Sequence, residues 1–168
     1  MVSSMGPRRS FFIDVGDGCE EVGAATPPAE YDAFEFYDLV YRTLCAVLFN
    51  FVPTSGHPGG SISSGRIVHG ILYNLLDYDL SDPGAPGADI IAYAAGHKAL
   101  GLYAGWALRN EVARISAPSI LPRQVKFQLR LEDLLGFRRN PTAQTPLLKQ
   151  FVARALDGHP NPNVPFVH

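Results

Sequence analysis

Residues 55–61 read Ser-Gly-His-Pro-Gly-Gly-Ser and lie between two segments whose apolar residues recur with a helical period. Proline disfavours the helical conformation of the residue before it, and the two glycines leave the backbone permissive. The stretch therefore predicts a tight loop that carries His57. Ser61 is a predicted N-cap of the next helix, whose free backbone N–H groups attract oxygen-rich or anionic ligands. The alternative is an ordinary interhelical turn with a solvent-facing histidine.

The composition indicates one globular domain. The chain has 168 residues, of which 46% are hydrophobic and 18% charged, enough for one sizeable core. A net charge of -2 excludes the basic surface that is typical of nucleic-acid-binding proteins. Neither a secretory signal nor a membrane span is apparent, so we expect a cytoplasmic protein with no nucleic-acid or membrane partner.

Apolar periodicity predicts a helix-rich α/β fold. Helical spacing indicates one helix from Tyr31 to Phe51, a second after the His57 loop, a third after residue 99, and a fourth that Gly136 stops. Residues 90–94, Ile-Ile-Ala-Tyr-Ala, are apolar on both sides, which is typical of a strand in a parallel sheet. We therefore expect an incomplete doubly wound domain with a mainly parallel sheet, preceded by a poorly ordered arm over residues 1–29.

Two further histidines differ in their expected role. His97 follows the predicted strand in a Gly-His turn, which places it at the carboxyl end of a sheet strand, where open α/β sheets bind ligands. His69 lies beside the apolar stripe of the second helix. We interpret His69 as a partly buried structural residue and not as a ligand, because no polar partner is near it in the sequence.

Three ordered motifs resemble the N-terminal part of the transketolase family, the thiamine diphosphate-dependent sugar enzymes. They are residues 55–61, the Ala-Ala-Gly-His of residues 94–97 that runs into Leu102-Tyr103, and the Gly-His-Pro of residues 158–160. Their histidines, His57, His97 and His159, do not have the spacing of a zinc motif. The resemblance covers residues 31–110 and 157–165.

The resemblance implies a role for each of these histidines. The position of His57 contacts the sugar and assists proton transfer at its hydroxyls, and that of His97 lies beside the cofactor diphosphate and the substrate. The position of His159 holds the donor sugar near its reacting carbonyl. The implied reaction transfers a two-carbon ketol unit from a ketose or ketose phosphate to an aldose, in pentose phosphate metabolism, with thiamine diphosphate and Mg²⁺. Imidazole suits such work because it titrates near neutrality and can donate or accept a proton.

The sequence departs from the family pattern in several places. Lys98 follows His97 where a small residue is common, and residues 111–156 match no family motif. We expect residues 30–168 to be a piece of the cofactor-binding domain that stops before the metal motif, so that the Mg²⁺ ligands lie outside this chain. Activity would then need further segments or a partner chain, such as a second copy in a homodimer, and the isolated chain would be inactive.

The sequence also admits other interpretations. The Gly-Asp-Gly of residues 16–18 resembles the start of the family's metal motif, but the required asparagine pair does not follow it, and the tripeptide is a common turn. The deoxyxylulose phosphate synthases fit less well, because their corresponding loop usually has another histidine where Ser61 stands. A non-catalytic fragment or binding module that retains part of the fold remains the main alternative.

Overall fold

The computed structural model describes residues 2–4, 11–13, 31–52, 57–138, 146–160 and 164. The chain divides into two compact units, Met1–Ala33 and Phe34–His168. In the first unit, strand β1 (Val2–Ser4) pairs antiparallel with strand β2 (Phe11–Ile13). The rest of the predicted N-terminal arm, with its Gly-Asp-Gly at residues 16–18, lies outside the described residues.

The second unit is built from helices joined by short turns. The α-helices are α1 (Tyr31–Phe51, which starts in the first unit), α2 (Pro58–Gly70), α3 (Ala99–Ser116) and α4 (Pro146–Phe151). A π-helical turn, Ile71–Leu75, extends α2. The 3-10 turns are Gly96–Lys98, Pro118–Ile120, Val125–Phe127 and Leu131–Gly136.

Helix α3 lies at the centre of the core. Every residue from 99 to 108 is buried, which leaves almost no side of the first three turns open to solvent. Helix α1 contributes Tyr41, Cys45 and Leu48, and α2 with its π-helical extension contributes Val68 and Leu72. A helix that is apolar on all sides must be covered by its neighbours, so α3 organises the unit.

The predicted parallel sheet is wrong. Residues 92–95 have no regular secondary structure, Ile90 is half exposed, and residues 31–138 contain no strand among those described. A parallel bridge joins Phe137 to Leu156, and Ile91 lies in another isolated bridge, but neither extends into a strand. A strand needs neighbours for its backbone N–H and C=O groups, and here α3 occupies the centre that a sheet would fill. The fold is therefore helix-rich and not a doubly wound α/β domain.

The predicted helices have mixed outcomes. The first three are confirmed, although the buried face of α1 runs through Asp38, Tyr41, Cys45 and Leu48 and leaves Phe51 exposed. The fourth predicted helix is wrong, since the 3-10 turns Val125–Phe127 and Leu131–Gly136 stand in its place. Gly136 does end the second turn, as its position in the sequence predicts.

A close contact at a glycine and two ion pairs of one arginine join α1 to α2. A β-carbon at Gly65 would lie 3.1 Å from Cδ1 of Tyr41, so the two helices contact each other at a glycine. Nε of Arg66 donates to the buried carboxylate of Asp38 at 2.9 Å, and the same guanidinium bonds Glu35 at 2.8 Å. These contacts fix the second half of α2 against α1.

The C-terminal segment is held by the buried carboxylate of Asp133. The backbone N–H of Arg154 donates to it at 3.0 Å, and the guanidinium of Arg154 donates at 2.9 Å. Arg130 adds a longer ion pair at 3.3 Å. Residues 153–160 are thereby brought back onto the body of the unit, which determines where His159 lies.

Candidate functional site

His57 lies at the start of α2. It occupies the N-cap position with φ -124° and ψ 86°, followed by Pro58 at the first helical position. The predicted N-cap, Ser61, is wrong: the N-cap is His57, four residues earlier. Proline has the fixed φ and the missing N–H that suit the first helical position. Ser61 instead lies buried in the first turn, where its carbonyl accepts the Tyr41 hydroxyl at 3.0 Å.

His97 lies in the 3-10 turn Gly96–Lys98 that leads into α3. Its expected place at the end of a sheet strand is wrong, since residues 92–95 directly before this turn have no regular secondary structure. The Gly-His turn that runs into a helix is confirmed. The His97 ring meets the His57 ring edge to face, with centroids 5.1 Å apart and planes at 67°. Both imidazoles are exposed, so a ligand can reach them.

His159 reaches the same turn from the C-terminal segment. A β-carbon at Gly96 would lie 2.5 Å from its Nε2, so the imidazole packs directly against Gly96. The backbone carbonyl of His159 accepts the hydroxyl of Tyr103 at 2.8 Å. Burial, with the charge of Asp157 added, raises the pKa of Tyr103, so this phenol stays protonated and donates. The α3 side chain thus holds the backbone of His159 in place.

The three sequence-predicted site residues therefore converge. His57 comes from the start of α2, His97 from the turn before α3, and His159 from the segment after α4, and all three lie at the Gly96–Lys98 turn. Each imidazole nitrogen can donate or accept a hydrogen bond. Such a group of exposed imidazoles is suited to binding a ligand rich in hydroxyls and to moving protons at those hydroxyls.

His69 is not part of this group. It lies on α2 and is fully buried, whereas the sequence predicts partial burial. The prediction of a structural histidine is confirmed. Its ring is edge-on to Tyr41 and Tyr37 at 4.3 and 5.2 Å and stacks on Tyr73 at 5.5 Å. Burial lowers the pKa of His69 to about 4, against a smaller opposing effect of Asp38.

Sequence reasoning missed the residues that support the site. The Tyr103 hydroxyl and Gly96 fix His159, and Lys98 lies across the first turn of α2. A β-carbon at Gly60 would lie 2.9 Å from Cε of Lys98. The signal for Lys98 was its departure from the family pattern. Nothing in the spacing of residues 96 and 159 predicts their contact, because it depends on how the chain returns after α4.

The described residues do not supply a metal site. Within residues 31–52, 57–138 and 146–160, no group of three His, Cys, Asp or Glu side chains could hold a metal ion. The resemblance implies Mg²⁺ and a diphosphate, and oxygen ligands for such an ion are not grouped here. The described part of the chain therefore does not fit the metal half of the implied cofactor.

Across the same residues, no helix combines the length and apolarity that crossing a bilayer requires.

Comparisons of this chain with protein-family models, with curated proteins and with solved structures find no match.

Proposed function

We propose that this chain supplies the substrate-side histidines of a cytoplasmic, transketolase-like enzyme. The reaction transfers a two-carbon ketol unit from a ketose or ketose phosphate donor to an aldose acceptor and depends on thiamine diphosphate. The observation that carries this proposal is the convergence of His57, His97 and His159 on the turn Gly96–Lys98. The helix-rich fold adds no support of its own.

The three histidines have distinct roles in this proposal. His57 and His97, whose rings touch, bind adjacent hydroxyls of the sugar and accept or return protons at their free imidazole nitrogens. His159 approaches from the other segment and orients the donor near its carbonyl. Tyr103 fixes the backbone of His159 at the site, and the exposed ring can turn toward the substrate. Hydrogen-bonding groups of this kind stabilise most strongly the charge that develops on the substrate in the transition state.

The cofactor site must be completed from elsewhere. Because the described residues contain no metal-binding group, the Mg²⁺ and diphosphate would be held by further segments or by a partner chain, either a second copy or a different one. His97 would lie closest to the diphosphate.

The exposed apolar face of α1 supports the proposal that a partner chain or further segments complete the enzyme. Phe36, Leu39, Val47 and Phe51 recur at helical spacing and are 69, 60, 50 and 81% exposed. A row of apolar side chains along a whole helix is typical of a surface that another protein segment covers.

The test is ketol transfer by the chain after it has been completed with cofactor-binding segments, in cis or as a partner subunit. His57→Ala, His97→Ala and His159→Ala should each lower kcat/KM by roughly tenfold to thousandfold. Combined replacements should lose less than the product of the single losses, since the three act on one substrate. His69→Ala is the control and should lower stability while the folded fraction keeps its kinetics. Equal kinetic losses from His69→Ala and His97→Ala would contradict the proposal.

A non-catalytic sugar-binding module is the second candidate. The observation that favours it is the lack of a metal-binding group among the described residues. In that case the isolated chain binds sugars through the same histidines, and no completed assembly turns them over.

A further inference from the structure

The guanidinium of Arg109 lies over an aromatic ring in the second half of α3. Its central carbon is 3.7 Å from the centre of the Trp106 ring. One of its nitrogens donates to the Tyr78 hydroxyl at 2.6 Å, and another donates to the amide oxygen of Asn110 at 3.2 Å. Because these partners are neutral, they hold the guanidinium in place without balancing its charge.

No described carboxylate balances the charge of Arg109. Every aspartate and glutamate of residues 34–168 is among the described residues, and none of them forms an ion pair with Arg109. Its Nε is buried and has no hydrogen-bond partner in the described part of the chain. Burial lowers the pKa of Arg109, against smaller opposing effects of Tyr78 and Tyr73, yet an arginine stays protonated in proteins. A buried cation without a counter-charge is costly, so an anion that reaches it is bound favourably.

Arg109 lines a cavity between α3 and the chain that follows it. The cavity contains about 220 Å³ of empty space, part of it open to solvent, and its enclosed part has room for roughly one water-sized group. One oxygen atom of a carboxylate has that size. Beside the polar Arg109 and Asn110, most of the lining is apolar and includes Leu80, Trp106, Phe127 and Leu129. Phe127 is 37% exposed and therefore lies at the mouth of the cavity.

We propose that Arg109 binds the carboxylate group of a short-chain monocarboxylate, whose hydrocarbon part lies against the apolar lining at the mouth. Arginine has five N–H donors, and the contacts with Tyr78 and Asn110 use two of them, so Nε–H and two others remain for the carboxylate. The site lies roughly 15 Å along α3 from the turn that carries His97. It is therefore separate from the histidine site and does not depend on the function proposed for it.

Trp106 reports directly on this site, because it is the only tryptophan of the chain. Its fluorescence should be followed in the full chain as acetate, butyrate or acetamide is added, with sodium chloride keeping the ionic strength constant. Acetate should give a saturable change with a Kd that is roughly millimolar, as expected for so small a ligand. Butyrate should bind severalfold more tightly through its additional methylene groups, and the neutral acetamide should have no effect. Thermal unfolding is the second readout, since a ligand that binds only the folded chain raises Tm.

Two variants of Arg109 test the contribution of its charge and of its shape. Arg109→Gln removes the charge and should weaken acetate binding by at least about tenfold. Arg109→Lys keeps the charge without the planar fork and should weaken binding severalfold, which provides a second test if Arg109→Gln does not fold. Arg123→Gln is the matched control, because Arg123 is exposed and does not line the cavity, and acetate affinity should not change.

The outcomes distinguish a binding site from a purely structural arginine. A structural role would change the thermal stability of the Arg109 variants but would not make the effect of acetate depend on this residue. The carboxylate site is wrong if acetate gives no saturable change in the parent, if acetamide gives the same change, or if butyrate binds no more tightly than acetate. It is also wrong if a folded Arg109 variant binds acetate as tightly as the parent. None of these results affects the test of ketol transfer, which depends on the three histidines.

Discussion

The imidazole of His159 packs against Gly96 so closely that a β-carbon at residue 96 would lie 2.5 Å from Nε2. Gly96 is buried in the turn that carries His97, whereas His159 is exposed and free to swing away. A methyl group at residue 96 would therefore displace the ring and leave the core intact. The contact links two of the three site histidines through one glycine.

Gly96→Ala should remove His159 from the site. We expect the ring signals of His159 in NMR spectra of the full chain to shift, and stability to fall by less than about 1 kcal/mol because an exposed ring gives way. In a completed enzyme the loss in kcat/KM should match that of His159→Ala. Gly59→Ala, which introduces no close contact, is the control. Unchanged His159 signals in Gly96→Ala would contradict the packing.

Sequence alone predicts the local parts of this site well. The apolar period of α1 and α2 predicts their existence, and the Gly-His pairs predict exposed imidazoles on turns. Both signals come from residues within a few positions of each other. The contact of His97 with His57 has no local signal, since the family resemblance implies only that both positions contact the substrate.

The global arrangement is where sequence reasoning fails. Residues 90–94 have the apolarity of a buried strand, yet a short apolar run has the same pattern whether or not it pairs. Whether such a run forms a strand depends on another strand lying beside it. In this protein the centre of the core is the helix α3. The support of His159 by Tyr103 depends likewise on Asp133, which brings the C-terminal segment back, and no local pattern encodes that return.

Gly65 should be intolerant of substitution, because a β-carbon there collides with the Tyr41 ring in the contact between α1 and α2. Gly65→Ala should lower the free energy of unfolding by about 1–3 kcal/mol, typical of overpacking. Gly70, in the same helix, meets nothing within 4 Å, so Gly70→Ala should raise it by about 0.5–1 kcal/mol. Urea unfolding of both variants measures the difference, and equal effects would contradict the assigned contact.

Asp133 should be the most sensitive carboxylate in the chain. Burial raises the pKa of this carboxyl, but the hydrogen bonds from Arg154 and from the backbone of Arg130 and Arg154 outweigh it and hold the pKa below its usual value. Asp133→Asn breaks a buried ion pair and leaves the Arg154 guanidinium with only the backbone carbonyls of Lys126 and Gln128 as acceptors, so unfolding should become easier by about 3 kcal/mol or more.

The surface pair of Arg114 with Glu111 is the control for Asp133. Glu111→Gln should cost less than about 1 kcal/mol, because both side chains remain hydrated. The stabilisation from Asp133 is present above the ordinary carboxyl pKa of about 4 and is lost as the pH falls below it. Denaturant titrations at neutral and acidic pH would show this, and equal losses for the two variants at neutral pH would contradict the special role of Asp133.

His69 should make the fold sensitive to mild acid. Both of its ring nitrogens lack a hydrogen-bond partner among the described residues, and burial lowers its pKa to about 4. In the unfolded chain a histidine has a pKa of about 6.5, so between these values unfolding takes up a proton. The free energy of unfolding therefore decreases as the pH falls from 6.5 to 4, by about 3 kcal/mol in total from this group.

His69→Leu should remove that part of the pH dependence. The difference in free energy of unfolding between the parent and His69→Leu should be constant above about pH 7 and shift in favour of the variant as the pH falls from about 6.5 to 4. Urea unfolding at four pH values across this range measures it. Gly59→Ala, which lies in the first turn of α2 away from His69 and whose β-carbon meets nothing within 4 Å, should shift the parent curve by the same amount at every pH. If the difference between the parent and His69→Leu is independent of pH, His69 is not held neutral by its tyrosine surroundings.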